Sequence, residues 1–244
     1  MTEKLFIASP AFDGKVHIPF ALSIADLTLA LTTNKILHQF FIVPSGSLLV
    51  AERNRLVEAF WKTDCTHLLF IDSDLGFPAE AVLAMLKTKK DFVAGVYPAR
   101  DPLNPTNINF LYRPKLESDS DVGLIVQDGH LLGAEYIPAG FMLISRKAIK
   151  KMRDYYPELY YEPKDPTKKS EAAFLLFNTE VWQGEFWGED FVFCRRARDA
   201  GIDIWVDPLI EFDHAGRRGM LMEFLRKQEE SLKAVANQPV TEKS

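Results

Sequence analysis

Short runs of consecutive apolar residues alternate along the first hundred positions with stretches in which apolar residues recur every three or four places. Leu5-Phe6-Ile7-Ala8, Phe40-Phe41-Ile42-Val43, Leu68-Leu69-Phe70-Ile71 and Phe92-Val93-Ala94-Gly95-Val96 are apolar at nearly every position and too short for helices, the pattern of strands buried on both faces. Between them, Ile18 to Thr32, Leu49 to Lys62 and Pro78 to Lys87 carry the 3.6-residue period of helices that cover a core, with Pro78 at the first helical position. Strands alternating with helices predict an α/β fold with a mainly parallel central sheet flanked by helices. Such sheets hold ligands at the carboxyl ends of their strands, where Ser9, Ser45, Asp72 and Tyr97 are expected to emerge. Pro44-Ser45-Gly46 is expected to break the second strand.

Beyond Asp101 the helical period fades. An Asp128-Gly129 turn between Leu124-Ile125-Val126 and Leu131-Leu132 predicts a hairpin. Pro138-Ala139-Gly140 leads into a strand, Phe141-Met142-Leu143-Ile144, and a helix from Lys147. Asp154 to Lys169, rich in Tyr and Pro, reads as a mobile surface loop. A further helix, Phe191 to Ala200, is stopped by Gly201 and followed by a strand, Ile202 to Val206. There is no internal repeat or linker, so residues 1–236 are expected to form one domain and 237–244 a disordered tail.

With 244 residues, of which 47% are hydrophobic, the chain is long enough for one large core. A formal net charge of −5 provides no broad basic field, which argues against a nucleic-acid partner and for a small ligand held by a local constellation. No apolar run approaches the ~20 residues that span a bilayer, and the start carries no secretory pattern. Cys65 and Cys194 have no metal-ligand spacing and are expected to remain free thiols, so a soluble cytoplasmic protein is expected.

The chemistry concentrates at His67-Leu68-Leu69-Phe70-Ile71-Asp72-Ser73-Asp74, where a buried strand runs into two carboxylates. On a strand, residues i and i+2 face the same way, so Asp72 and Asp74 are expected to share one hard cation while Ser73 points elsewhere. Arg53 lies on the apolar stripe formed by Leu49, Leu56 and Val57. It is either a buried cation that needs a partner or a side chain that snorkels past the stripe. Glu189 and Asp190 open the Phe191–Ala200 helix, where the dipole alone favours carboxylates. His214, in Glu211-Phe212-Asp213-His214, can supply a neutral nitrogen ligand to a metal already held by carboxylates. Trp182 and Trp187 can stack on a sugar face or belong to the core.

Taken in order, Ala51-Glu52-Arg53-Asn54, Phe70-Ile71-Asp72-Ser73-Asp74, Pro138-Ala139-Gly140-Phe141, Gly188-Glu189-Asp190 and His214 resemble the motif set of GT-A glycosyltransferases. The likeness spans nearly the whole chain and is nearest to short family-2-like and Anp1-like transferases of bacteria, phages and large DNA viruses. The cytoplasm would then be the host's if the chain is viral.

The resemblance implies a Rossmann-like domain that binds Mn²⁺ or Mg²⁺ through Asp74 and His214, with Asp72 touching both nucleotide and metal. It places Ser9, Pro10, Ala11, Arg53, Asn54 and Ser73 around the nucleotide, and Gly140, Trp187 and Gly188 around sugar and acceptor. Asp190 is implied as the general base and Glu189 as the group that orients the acceptor, unless configuration is retained. Independently of the resemblance, Arg217 and Arg218 can clamp a diphosphate from a closing C-terminal loop. Family-2 members usually carry an acidic cluster after the second strand, where this chain has Val43-Pro44-Ser45-Gly46, so Pro10 and Ala11 are left to line the base. The donor implied is a UDP-sugar first and a GDP-sugar second, and the acceptor a hydroxyl such as that of a glycan.

Other readings use the same carboxylates. A haloacid-dehalogenase-type phosphatase has DxD after a buried strand, normally the first. A nucleotidyltransferase needs an early Gly-rich basic loop, for which Ser9 to Lys15 is a poor fit. The non-enzyme alternative is a sugar-nucleotide-binding module.

Overall fold

The computed structural model describes residues 3–45, 48–98, 110–112, 125–162, 172–214 and 217–236. The elements in the first half are β1 (Lys4–Phe12), α1 (Ile18–Thr33), β2 (Leu37–Ser45), α2 (Leu49–Trp61), β3 (His67–Ile71), β4 (Leu75–Gly76), α3 (Ala79–Lys87), β5 (Phe92–Ala94) and β6 (Leu111–Tyr112). The second half adds β7 (Gln127–Asp128), β8 (Leu131–Tyr136), β9 (Phe141–Ser145), α4 (Arg146–Tyr155), β10 (Tyr160–Tyr161), β11 (Ala173–Phe174), β12 (Glu180–Trp182) and β13 (Glu185–Trp187). The chain then continues through α5 (Glu189–Asp199), β14 (Ile204–Val206), β15 (Glu211–His214), β16 (Arg217–Met220) and α6 (Leu221–Ala236).

The architecture is the expected α/β sheet with helices on both faces. The main sheet runs β2-β1-β3-β9-β5-β14-β8-β6, with β7 paired to β8. Two strands, β8 and β9, run against the rest. Side-chain alternation divides the apolar runs between two cores. Phe6, Ala8, Leu68 and Phe70 pack with Phe60 of α2, Ile149 of α4 and Phe193 of α5. Leu5, Ile7, Leu69 and Ile71 pack with Phe20 and Leu27 of α1 and with Val82 and Met85 of α3. Both faces are therefore dry, which is why the strands read as continuous apolar runs. The predicted Asp128-Gly129 hairpin forms, with Gly129 at φ +63.

Two sequence expectations for the strands are corrected. Pro44 does not break the second strand but pairs with Ala11 inside it, because β2 is an edge strand on which a missing N–H costs no ladder bond. For the same reason β1 runs on to Phe12, so Ser9 lies within the strand instead of emerging from its end. Glu211 to His214 is a strand, β15, which pairs with β4 on one side and β16 on the other. The proposed tail from Asn237 and residues 163–169 of the expected Asp154–Lys169 loop lie outside the described residues. The first part of that loop is instead ordered, since Asp154 and Tyr155 close α4, Pro157–Leu159 form a single 3-10 turn and β10 pairs with β11.

Insertion of the reversed strand β9 between β3 and β5 positions the site. It brings the Pro138-Ala139-Gly140 turn to the edge where β3 and β5 end, with Gly140 O accepting from Asp72 N at 2.8 Å and Phe141 O accepting from Gly95 N at 3.0 Å. Helix α2 is anchored from below by Arg146. Its guanidinium donates to Phe60 O at 3.0 Å, Thr63 O at 2.8 Å and Cys65 O at 2.6 Å, satisfying carbonyls that a helix end leaves open.

Candidate active site

Strand β3 ends at Ile71, and Asp72 to Asp74 form a turn, so the two-residue strand period no longer applies there. The expectation that the two carboxylates point the same way is corrected accordingly, and each has its own partners. Asp72 accepts from Arg53 Nη2 at 3.0 Å, and its second oxygen lies 3.5 Å from the Tyr97 hydroxyl. Asp74 turns to β15, where its Oδ2 lies 3.3 Å from His214 Nε2. Ser73 contributes its carbonyl to His17 N at 2.9 Å.

Arg53 is the buried cation that the helical stripe of α2 implied. Its guanidinium lies over the rings of Phe70 and Phe177, at 5.7 and 5.9 Å. Besides Asp72 it reaches Ala139 O at 3.4 Å, and its Nε lies 3.5 Å from Glu189 Oε1. Burial works to lower its pKa, but the fields of Asp72, Tyr97 and Glu189 outweigh burial and leave it raised. The snorkelling reading is thereby excluded: the side chain joins the strand-end acid to the acid that opens α5.

Asn54 does not fit the role implied by the resemblance. Its Nδ2 donates to Val50 O at 3.0 Å and Phe177 O at 2.8 Å, and its Oδ1 accepts from Phe177 N at 2.8 Å. Both amide hydrogens are engaged and the residue is buried, so it pins the Phe177 backbone and has no donor left for a nucleotide.

At the start of α5, Gly188 is the N-cap and Asp190 Oδ1 accepts from Phe191 N at 2.9 Å. The helix dipole was expected to hold Asp190 ionised. Burial, followed by the repulsion of Glu189, nevertheless pushes its pKa up to about 6, so it remains ionised at neutral pH but close to its titration. Trp187 sits edge-on to Tyr136 at 4.8 Å and packs partly against the core.

Tyr97 was visible in the sequence only as a strand-end residue, yet it joins the two halves of the site. Its hydroxyl accepts from Gly140 N at 3.0 Å, and its ring stands edge-on to His214 at 5.0 Å. Burial and then Asp72 raise its pKa well above the usual tyrosine value, so it stays a neutral donor. Gly140 is required for this approach, since a Cβ there would fall 2.1 Å from the Tyr97 hydroxyl and 2.4 Å from Asp72 Oδ2. Tyr97 directly follows a buried strand in Val96-Tyr97-Pro98, the one local signal that could have singled it out.

Asp74 and His214 are both buried. The pairing of β15 with β4 places them together, and Pro98 O lies 2.6 Å from His214 Nδ1. A carbonyl can only accept, so Nδ1 carries the proton and Nε2 faces the carboxylate, the arrangement in which imidazole ligates a metal. Among the described residues no group of three or more His, Cys, Asp and Glu side chains gathers as a metal site. What is present is one carboxylate and one imidazole side by side, which suits a hard divalent cation that takes its remaining oxygens from a ligand and from water. The shared three-ligand site expected of Asp72, Asp74 and His214 is not assembled, because Arg53 holds Asp72.

Ser9, Pro10 and Ala11 are buried in the C-terminal part of β1, beside the end of β3 that leads into Asp72, and Ser9 Oγ is buried without a hydrogen-bond partner. Backbone pairing sets Arg217 opposite His214 and Arg218 opposite Asp213. Cys65 and Cys194 are free and buried, and burial raises the Cys194 thiol pKa. Among the described residues no helix is long and apolar enough to cross a membrane.

No family model and no curated protein matches the chain. Among solved structures, A197 from STIV aligns at 17% identity over 89% of this chain and 93% of its own, with a TM-score of 0.47. A Drosophila β-1,4-galactosyltransferase 7 mutant in complex with manganese, UDP-Gal and xylobiose aligns at 14% identity over 99% and 82%, with a TM-score of 0.43. GalNAc-T7 with UDP, GalNAc and Mn²⁺ aligns at 11% identity over 88% and 44%, with a TM-score of 0.42. At such identities and scores the likeness says nothing of activity, and the functional evidence lies in the side chains.

Proposed function

We propose that the chain is a metal-dependent glycosyltransferase, a single GT-A domain over residues 1–236, working in a reducing cytoplasm. It moves a sugar from a nucleotide-diphosphate sugar, a UDP-sugar first and a GDP-sugar second, to a hydroxyl of a glycan or other acceptor. One observation carries this reading. A buried guanidinium, Arg53, ties Asp72 to Glu189, so that the Asp74–His214 pair and the raised acid Asp190 belong to one edge of the sheet.

Asp74 and His214 would hold Mn²⁺ or Mg²⁺, which neutralises charge on a diphosphate leaving group. Asp72, fixed by Arg53 and Tyr97, would contact the nucleotide, and Arg217 and Arg218, whose backbone pairs with β15 at His214 and Asp213, would serve the diphosphate. Asp190 takes the proton of the attacking hydroxyl. With a pKa of about 6 it is ionised at neutral pH yet basic enough to accept that proton, as general-base catalysis requires. Glu189 and Gly188 set the helix end that presents it, and Trp187 beside them offers a ring to sugar or acceptor. A phosphatase reading would need Asp72 as a free nucleophile, and Arg53 already binds it.

A thermal-shift panel of UDP- and GDP-sugars, with and without Mn²⁺, tests the proposal, because a ligand that binds only the folded state raises its stability. The expected outcome is a nucleotide-dependent rise that needs Mn²⁺ and disappears in Asp74→Asn. A nucleotide response indifferent to EDTA and to that substitution would remove the metal from the mechanism.

A further inference from the structure

An aromatic row leads away from the start of α5. Trp187 meets Tyr136 at 4.8 Å and Trp182 at 6.4 Å, while Tyr136 stacks on Phe191 at 5.2 Å. Beside this row lies a cavity of about 480 Å³, lined by Tyr136, Trp182, Arg195, Arg198, Asp199 and Asp203. Its volume falls within the range of small-molecule sites, and none of these residues takes part in the chemistry assigned above.

Both arginines of the cavity are already paired with carboxylates. Arg195 pairs with Glu180 and with Asp199, and Arg198 pairs with Glu135 at 3.2 Å. There is thus no surplus of positive charge to draw an anion. What remains is a set of fixed donors and acceptors beside aromatic rings: Arg195 lies 4.4 Å from the Trp182 ring and Arg198 5.5 Å from Tyr136. Arg195 Nε is moreover buried without a hydrogen-bond partner. Hydroxyls that both donate and accept, on a ring whose C–H face packs against an aromatic, describe a neutral sugar.

We propose that this cavity is a subsite for the distal part of a neutral oligosaccharide acceptor, an inference that rests on the transferase reading. Along α5, with its rise of ~1.5 Å per residue, Arg195 and Arg198 lie ~7 and ~12 Å beyond Asp190. A single sugar cannot span that distance, so the acceptor has more than one residue.

Calorimetric titration of the full chain with gluco-, xylo- and chito-oligosaccharides of one to four residues, without nucleotide, tests the subsite directly. Affinity in at least one series is expected to rise about tenfold or more between one and three residues. Trp182→Ala should abolish that dependence on length, and Trp182→Phe, which keeps a ring, should restore part of it. Trp182 is 40% exposed, so neither variant threatens the core. Binding that is independent of length, unchanged in Trp182→Ala, or absent throughout the panel would overturn the subsite. The same preparation titrated with UDP and Mn²⁺ separates the two readings. Oligosaccharide binding without nucleotide binding would retain the subsite and reject the transferase, and the converse would do the opposite.

Discussion

Arg53 Nη2 donates to Asp72 at 3.0 Å while its Nε lies 3.5 Å from Glu189, so a single buried cation holds together two acidic motifs from distant parts of the chain. The arginine is buried and needs both acids to offset its burial, while the two carboxylates remain partly exposed.

Arg53→Met is therefore expected to leave two partly exposed carboxylates without their shared cation and to destabilise the fold by about 1–3 kcal/mol, less than a fully buried pair because both acids keep access to water. Nucleotide binding should fall with it. Chemical denaturation beside nucleotide titration checks this. A variant of normal stability that had lost only nucleotide affinity would mean that Arg53 serves the ligand directly.

Asp190→Asn keeps the shape of the side chain and removes the base. Donor binding should persist while sugar transfer falls by about 10²-fold or more, the contribution of a positioned base. Near-normal transfer would point to a retaining mechanism or to another acid.

The raised pKa of Asp190 has two consequences for pH dependence. Transfer rates should rise through about pH 6 as the base ionises. Stability should move the other way. An acid whose folded pKa exceeds its unfolded value of 3.8 holds its proton more tightly when folded, so its penalty is absent in acid and grows as pH climbs towards about 6. Melting curves of wild type and Asp190→Asn from pH 4 to 8 check the sign. The wild type should lose ground to the variant as pH rises, and a difference independent of pH would refute the shift.

Gly140→Ala places a methyl where Tyr97 and Asp72 now meet. The chain must shift by more than side-chain give allows, at about 1–3 kcal/mol, the usual cost of overpacking. Activity should fall further than stability because the Tyr97–Asp72 contact is displaced. Gly140→Ala combined with Tyr97→Phe, which removes the clashing hydroxyl, should recover part of the melting temperature, and no recovery would place the clash elsewhere.

Much of this arrangement was legible before any coordinates. Apolar runs and helical periods report directly which faces are dry, so the βα units, the strand leading into Asp72 and the cation on the α2 stripe could be read from local pattern alone. Glu189 and Asp190 at a helix start were equally legible, since the glycine before them and the period after them are local signals.

Partnership was decided only by the tertiary structure. Periodicity cannot tell that β9 enters the sheet reversed and delivers Gly140 to Tyr97, or that β2 lies at an edge where Pro44 is harmless. Nor could it show that Asn54 is committed to the Phe177 backbone, that Asp72 belongs to Arg53, or that pairing of β15 with β4 brings His214 to Asp74. The sequence by itself determined the residue types, the buried faces and the α/β order, because these depend on neighbours within one or two turns. Which carboxylate meets which cation, and how far burial raises Asp190, depend on groups that only the folded chain brings within a few ångströms, where electrostatic energy varies steeply with distance and solvent access.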